Sequence, residues 1–193
     1  ASTKPSDSEP DGKVDAYFNG AMRAIYNSSV PTVARVNGAA AGGGFGLALA
    51  CDIAVASKSS FFVATFGPRL GIVPDLGTTW NLPHKAGRAR ALGLAMLGDR
   101  ISAEQAEAWG LIWKAVEDDQ LDAEVEQITT KLARTSADAM KRIRSVTDAA
   151  LSNGFSDQLD LEMEHQAVLI PKNMAEGARA FMEKREPEFP GRN

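Results

Sequence analysis

The sequence predicts an α/β protein whose C-terminal part is purely helical, and two patterns support this fold class. Short apolar segments typical of strands alternate with helical segments up to residue 120. Beyond that point the apolar residues recur only at three- and four-residue spacing, as they do in amphipathic helices. We therefore expect a flexible start at residues 1–13, an α/β core at 14–120 and a helical module at 121–193.

The first elements are a polar segment, a helix and a strand. Residues 1–13 are rich in Ser, Pro and Asp, a composition typical of loops. In residues 14–26 the apolar side chains fall on one helical face, which predicts an amphipathic helix. The segment VPTVARVNG then predicts a strand that ends in a turn at Asn37 and Gly38.

The next stretch, AAAGGGFGLALACD at residues 39–52, joins three consecutive glycines to an apolar segment. FGLALAC predicts a buried helix, whereas DIAVAS and FFV after it predict two strands. Glycine costs backbone entropy and disfavours helices, so the triplet needs a reason. Two reasons stay open: close packing of the helix start against a strand, or a bare helix N-terminus that binds an anion.

Two common nucleotide-binding motifs are excluded at these glycines. A G-x-G-x-x-G motif fails because Leu47 stands where the third glycine belongs, and no G-x-x-x-x-G-K-[ST] motif occurs. A single backbone N–H could still stabilise a carbonyl oxygen that gains negative charge during a reaction.

Glycine and proline punctuate residues 67–83, which are expected to form a loop. A helix is expected at 86–97. Ser102 and Gln105 then predict a capping box for a helix that ends near Gly110.

Three apolar stripes beyond residue 120 predict long helices. Pro171 is expected to end the third of them, and Asn173 is expected to cap a last helix that Pro187 stops. The stripes consist of Leu121, Val125, Ile128 and Leu132, then Met140, Ile143, Val146 and Ala150, and finally Leu159, Met163, Ala167 and Ile170.

Composition excludes several classes of protein. The net charge of −4 without a basic block argues against nucleic acid as the main partner. The one cysteine, Cys51, predicts a reducing compartment without disulfides, and we expect a cytoplasmic protein. The longest apolar stretch, residues 38–51, is too short and glycine-rich to span a membrane. No cluster of residues suggests a metal, and His84 and His165 are expected to be surface or helix residues.

Three segments resemble the enoyl-CoA hydratase/isomerase (crotonase) superfamily. They are VPTVARVNGAAAGGGFGLALACDIAVAS, LGIVPDLGTTWNLPHKAGRARALGLAMLGDRISAEQAEAWGLI and EGARAFMEKREPEF. VPDLGTTWNLP and AEAWGLIWKAV look most like the ring-epoxide isomerases of phenylacetyl-CoA breakdown. The resemblance implies a crotonase-type ββα spiral core whose N-terminal part is missing from this chain.

The resemblance also implies how the glycines act. The family's glycine-rich helix start supplies one of two N–H groups that hold the thioester oxygen, and this donor corresponds to Gly43. Its neighbours Ala41, Gly42 and Gly44 would then border the substrate. The second donor belongs to a segment before this chain begins. That segment is a separate piece of the protein, was cut away, or is missing.

The positions of the carboxylates indicate which of the family's reactions to expect. Family hydratases use two glutamates, and here the first of these positions is Gly46, while Thr65 to Pro68 occupy the region of the second. Asp75 is the first carboxylate after Asp52, at a place where family isomerases carry an acid. We expect Asp75 to shuttle a proton through a thioester enolate, aided by partial burial between its neighbours Val73, Leu76 and Trp80. Alternatively, Asp75 caps a turn.

The remaining candidates concern substrate binding. Phe45, Phe66 and Trp80, together with Phe62, would suit an aromatic or cyclic acyl group, or else belong to the core. By resemblance, Phe181 would pack near the adenine of coenzyme A in a neighbouring subunit, and Lys184 would lie near its phosphates. Otherwise Lys184 and Arg185 only complement the helix dipole.

The expected activity is therefore that of an acyl-CoA isomerase. We expect no cofactor beyond the coenzyme A of the substrate, and a homo-oligomer that is a trimer or a dimer of trimers. A hydratase with a non-standard acid and a non-catalytic acyl-CoA-binding protein stay open as alternatives. The acyl group, and whether it comes from fatty acid or aromatic acid degradation, also stays open.

Overall fold

The strands form two small sheets in the computed structural model, which describes residues 13–189, with side chains from residue 18 onwards. One sheet has the order β1-β3-β6 with all strands parallel. The other has the order β2-β4-β5, in which β2 runs parallel and β5 antiparallel to β4. The strands are β1 (Val33–Val36), β2 (Ala39–Ala41), β3 (Ile53–Ser57), β4 (Phe61–Val63), β5 (Ile101–Ser102) and β6 (Lys114–Val116).

Helices connect the strands and make up the C-terminal third of the described chain. A π-helix at Phe66–Leu70 and a 3₁₀ turn at Asp118–Gln120 accompany them. The predicted flexible start lies outside the described residues except for Lys13, which begins the first helix. The helices are α1 (Lys13–Tyr26), α2 (Gly43–Ala50), α3 (Thr78–Leu97), α4 (Ala103–Ala108), α5 (Leu121–Arg134), α6 (Ala137–Ala149) and α7 (Phe155–Glu183).

The central strand β3 is buried on both faces, which explains its continuous apolar sequence. Ala54 and Ala56 belong to the main core together with α2 and α3. Val55 belongs to a second, smaller cluster with Val116 and Leu121, the first residue of α5. Alternate residues of one strand therefore hold α2 on one side of the sheet and α5 on the other.

The loop predicted at residues 67–83 is wrong in part. The π-helix begins at Phe66, and α3 begins at Thr78. The glycines that suggested a loop lie at the ends of these helices, since Gly71 has φ 68° and Gly77 has φ 74°. Such left-handed conformations suit glycine and end or begin helices.

The predicted break at Pro171 is also wrong, because α7 continues through it to Glu183. Asn173 is not a helix cap. Its side chain donates a hydrogen bond to Ser136 Oγ at the start of α6, at 3.2 Å, and Lys172 pairs with Asp138 of the same helix. Packing against α6 therefore holds both halves of α7 in line although the proline lacks an N–H.

The cap predicted at Ser102 is confirmed, because Ser102 Oγ accepts a hydrogen bond from Gln105 N at 3.1 Å. The helix α4 that follows ends at Ala108, two residues before Gly110. Across residues 13–189, none of the helices combines the length and apolar character that a bilayer crossing requires.

Arg144 fastens α6 to the rest of the molecule. Its Nε donates to Asp52 Oδ1 at 2.6 Å, and its terminal nitrogens donate to the carbonyl oxygens of Ser28 and Val30. Asp52 also accepts from the backbone N–H of Thr32 at 2.6 Å. One guanidinium thus connects α6 with the segment between α1 and β1 and with the residues that follow α2.

Candidate active site

The turn from β2 into α2 requires glycine at position 42. Gly42 has φ 52°, and its N–H donates to Val63 O of β4 at 3.0 Å. A Cβ at this buried residue would lie 3.2 Å from Thr65 Oγ1. The chain therefore leaves the sheet and starts the helix within one residue, which only glycine adopts without strain.

Two backbone N–H groups at the start of α2 have no partner among the described residues, those of Gly43 and Gly44. The next two donors are used, because Phe45 N and Gly46 N both donate to Gly42 O, at 3.0 and 3.3 Å. The first N–H groups of a helix also carry its partial positive charge. These two amides are therefore available to the oxygen of a polarised carbonyl, and the role of Gly43 as that donor stays a prediction.

The segment that carries Asp75 packs directly on these glycines. A Cβ on Gly43 would lie 2.6 Å from Leu76 Cδ1, and one on Gly46 would lie 2.6 Å from Leu76 O. Leu76 has φ 50°, a conformation that non-glycine residues rarely adopt. A strained residue next to the predicted acid thus brings its segment against the helix start.

Asp75 itself is exposed, so the predicted partial burial is wrong. Two of the neighbours expected to cover it are themselves exposed, Val73 at 79% and Trp80 at 43%. Its carboxylate makes no hydrogen bond or ion pair with any residue in the described range, whereas its backbone oxygen accepts from Thr78 N at 2.9 Å. The turn is closed by the backbone, which leaves the carboxylate free for another role.

Of the aromatic residues predicted to contact the substrate, some are buried in the core and one lies at the surface. Phe45 and Phe66 are buried in the main core, and the ring of Phe45 lies 5.3 Å from that of Phe62. Trp80 keeps an exposed face, with its ring 5.7 Å from the ring of Tyr26 and stacked on His84. Of the backbone neighbours, Ala41 and Gly44 are exposed and Gly42 is buried.

The predicted coenzyme A contacts lie at the end of α7. Phe181 is 86% exposed, and Lys184 ends the helix with φ 54°. Arg185 pairs with Glu176, which also accepts from the N–H of Glu188 at 2.9 Å. The hydrogen bonds from Arg185 hold the pKa of Glu176 well below its ordinary value. The tail after α7 is therefore tied back to the helix, while Phe181 is left open to a partner or ligand.

Two of the cavities formed by described residues lie against α2 and α3. A cavity of about 290 Å³ between α1, α2 and α3 reaches Gly77, two residues after Asp75. A second, of about 370 Å³, lies at the C-terminal end of α2. Neither cavity is lined by Gly43 or Asp75, so neither brings that amide and that carboxylate together.

Sequence reasoning missed the part played by Leu76 and Thr78. Both lie against Gly46, where a Cβ would also come within 2.8 Å of Thr78 Oγ1. This hydroxyl is buried and has no hydrogen-bond partner within the described part of the chain. Only the tertiary contact of α2 with the start of α3 reveals them, and no local pattern signals it.

Gly46→Ala is expected to lower the free energy of unfolding by about 1–3 kcal/mol, because the new methyl group would overlap a backbone oxygen that cannot move cheaply. Gly44→Ala is the matched control, since nothing lies within 4 Å of its Cβ position. This control should be neutral or stabilising by up to about 1 kcal/mol. Urea unfolding of both variants measures the difference, and equal stabilities would contradict the close packing at Gly46.

Comparison with known proteins gives consistent results. The family model described as enoyl-CoA hydratase/isomerase matches residues 4–192. A 1,2-epoxyphenylacetyl-CoA isomerase from Escherichia coli (strain K12) is 41% identical over 180 residues, which are 93% of this chain and 68% of that protein. A probable enoyl-CoA hydratase from Rhodobacter capsulatus is 42% identical over 172 residues, 89% of this chain and 66% of that protein.

Solved structures agree with these sequence relatives. The crystal structure of an enoyl-CoA hydratase from Bacillus anthracis superposes with a TM-score of 0.87 at 30% identity, over 95% of this chain and 72% of that one. The chain thus spans about two thirds of the length of the curated relatives it matches.

Proposed function

This chain belongs to the enoyl-CoA hydratase/isomerase family, and on that premise we propose that it is an acyl-CoA isomerase. Its crotonase-type α/β fold is confirmed by the solved structures that superpose on it. The names of its relatives include both isomerases and hydratases, so the choice between these reactions depends on the site.

The observation that carries the proposal is the closed space at Gly46. By resemblance, family hydratases have their first glutamate at this position. Here the backbone oxygen of Leu76 would lie 2.6 Å from any Cβ, so a side chain does not fit. The region of the second glutamate contains no carboxylate, and Phe66 in it is buried in the core. Asp75 is the acid on the segment that packs against Gly43 and Gly46.

The proposed reaction moves one proton within the acyl group. The carboxylate of Asp75 takes a proton from the alpha carbon, next to the thioester carbonyl, or, in the reverse direction, from the gamma carbon, the saturated carbon just beyond the double bond. The electron pair of the broken C–H bond shifts toward the thioester oxygen, where the N–H of Gly43 stabilises the enolate. The protonated Asp75 then returns the proton to a different carbon, so that only the double bond has moved.

In this proposal the bound substrate buries the carboxylate of Asp75, which the chain alone leaves exposed. An acyl group seated on the start of α2 would exclude water from the exposed carboxylate and so make it a stronger base. Coenzyme A would enter as part of the substrate, with Phe181 and Lys184 as proposed contacts to it. Exposed apolar residues along α7, such as Met163 and Met174, support the further proposal of a homo-oligomer.

Isotope incorporation tests the reaction type. The chain is incubated with 3-hexenoyl-CoA and, separately, with 2-hexenoyl-CoA in ¹⁸O-labelled water, and the products are analysed by mass spectrometry. An isomerase interconverts the two thioesters without taking up ¹⁸O. Hydroxyacyl-CoA that contains ¹⁸O, formed without interconversion of the two thioesters, would overturn the proposal in favour of a hydratase. Binding of both thioesters without any product would overturn it in favour of a non-catalytic acyl-CoA-binding protein.

A further inference from the structure

The cavity at the C-terminal end of α2 has no part in the proposed reaction. It has a volume of about 370 Å³ and lies between α2, α3, α6 and the end of α1. This volume is in the range of small-molecule sites, roughly 300–1,000 Å³. Neither Gly43 nor Asp75 lines it, so it needs its own explanation.

Apolar side chains from four parts of the fold form its walls. Leu49 lies in the last turn of α2, Ile53 begins β3, Ile143 belongs to α6 and Leu151 follows that helix. The ring of Trp80 adds an aromatic surface. Such a lining favours a ligand with an apolar chain or ring.

Most polar groups of the lining already have partners. Asp52 is paired with Arg144, and Asp148 accepts a hydrogen bond from Tyr26 Oη at 3.0 Å. His84 Nδ1 is hydrogen-bonded to Trp80 O at 2.5 Å. These groups fix the walls and leave little capacity for a ligand.

Lys85 is the exception. Within the described residues, no carboxylate lies within ion-pair distance of its ammonium group, although Asp148 and Asp52 act on it at longer range. Desolvation by its surroundings lowers the pKa of Lys85, the effect expected of a cation that lacks a close counter-ion. Lys85 lines the cavity and is exposed overall, so both solvent and a ligand can reach the residue.

We propose that this cavity binds an apolar ligand that ends in a carboxylate, with the chain against the apolar walls and the carboxylate on Lys85. An anion at Lys85 would provide the missing counter-ion, and it would leave the existing pairs undisturbed. The ligand class is therefore a medium-chain or aryl carboxylic acid.

Two sources of this chemistry fit the geometry. One is a free carboxylic acid. The other, which rests on the proposed function, is the far end of an acyl group that itself ends in a carboxylate. The smaller cavity that reaches Gly77 shares Tyr26, Ala50, Trp80 and Asn81 with this one. From Gly43 to Ala50 the helix α2 rises about 10 Å, a distance that an eight-carbon chain can span.

Calorimetric titration of the whole chain with octanoate tests the proposal, with octanamide as the uncharged ligand of equal length. Octanoate should bind about two- to fivefold more tightly than octanamide, as expected for an ion pair that is partly exposed. Lys85→Met should abolish this preference, and Lys85→Arg should keep it. Lys141→Met removes an exposed charge outside the cavity and should change nothing.

Equal affinities for the two ligands, or a preference that survives in Lys85→Met, would overturn the proposal. Ile143→Trp fills the cavity and should weaken both ligands at least tenfold, with circular dichroism as the check on its folding. Undiminished binding to a folded Ile143→Trp variant would place the ligand elsewhere and also overturn the proposal.

A competition experiment distinguishes a free carboxylic acid from the far end of an acyl group as the ligand. The mono-CoA thioester of octanedioic acid should displace octanoate if the far end of the acyl group occupies the cavity. If both bind together, the ligand is a separate acid. This binding experiment needs no turnover, so a failed isomerase assay and a failed cavity proposal are distinguishable.

Discussion

Asp75→Asn is expected to lower kcat for the isomerisation by about 10²–10⁴-fold, the usual contribution of a positioned general base. Asparagine has nearly the same shape but cannot accept the proton. The carboxylate makes no hydrogen bond or ion pair with described residues, so its removal should not disturb the fold. KM should change little, because the proposed role lies in the chemical step. Steady-state kinetics with 3-hexenoyl-CoA measures both constants.

Asp99→Asn is the matched control for this experiment. Asp99 is exposed in the segment between α3 and β5, and it is distant in sequence from the glycine triplet. The control should keep the kcat of the unchanged chain. Isomerase activity that persists in Asp75→Asn would show that another group moves the proton.

Gly43→Pro should lower kcat by about 10²–10³-fold relative to Gly43→Ala, the usual loss of one oxyanion donor. Proline removes the N–H proposed to stabilise the enolate, and it is favoured at the first position of a helix, where Gly43 lies. Both variants add a Cβ that meets Leu76 Cδ1 at 2.6 Å, so they share this part of the steric disturbance. The ratio of their kcat values therefore reports the replacement of the N–H hydrogen by the proline ring.

The comparison requires both variants to be folded. Urea unfolding should give similar free energies for the two, because the side chain of Leu76 is able to turn away in either case. Equal kcat values for the proline and alanine variants would contradict the donor role of Gly43. A loss in kcat with an unchanged dissociation constant for a saturated acyl-CoA would locate the effect in the transition state.

Local patterns predicted the elements whose signals are contained in their own residues. The apolar periodicity of α1 and the apolar run of β3 are examples. The strands β2, β5 and β6 escaped prediction because each has only two or three residues and none has the aromatic composition that indicated the equally short β4. At Pro171 the local rule was overridden, since contacts of Lys172 and Asn173 with α6 keep α7 continuous.

The candidate site likewise contains some features that local sequence predicts and others that it does not. The free amide of Gly43 follows from the chain's own geometry, because the first N–H groups of any helix lack intrahelical partners. The contact of Leu76 with Gly43 and Gly46 joins residues thirty or more positions apart, so no local pattern predicts it. The exposure of Asp75 was missed because apolar neighbours in sequence do not guarantee burial, as Val73 shows.

The hydrogen bonds of the Arg144 guanidinium predict which parts of the molecule unfold together. If α6 lifted away alone, the carbonyls of Ser28 and Val30 would lose a donor and Asp52 would keep an unpaired charge. The helix and the segment leading into β1 should therefore unfold as one cooperative unit and exchange their amide hydrogens together. Pro31 and Ile143 of this unit line the cavity proposed to bind a carboxylic acid, so a bound ligand would slow that exchange.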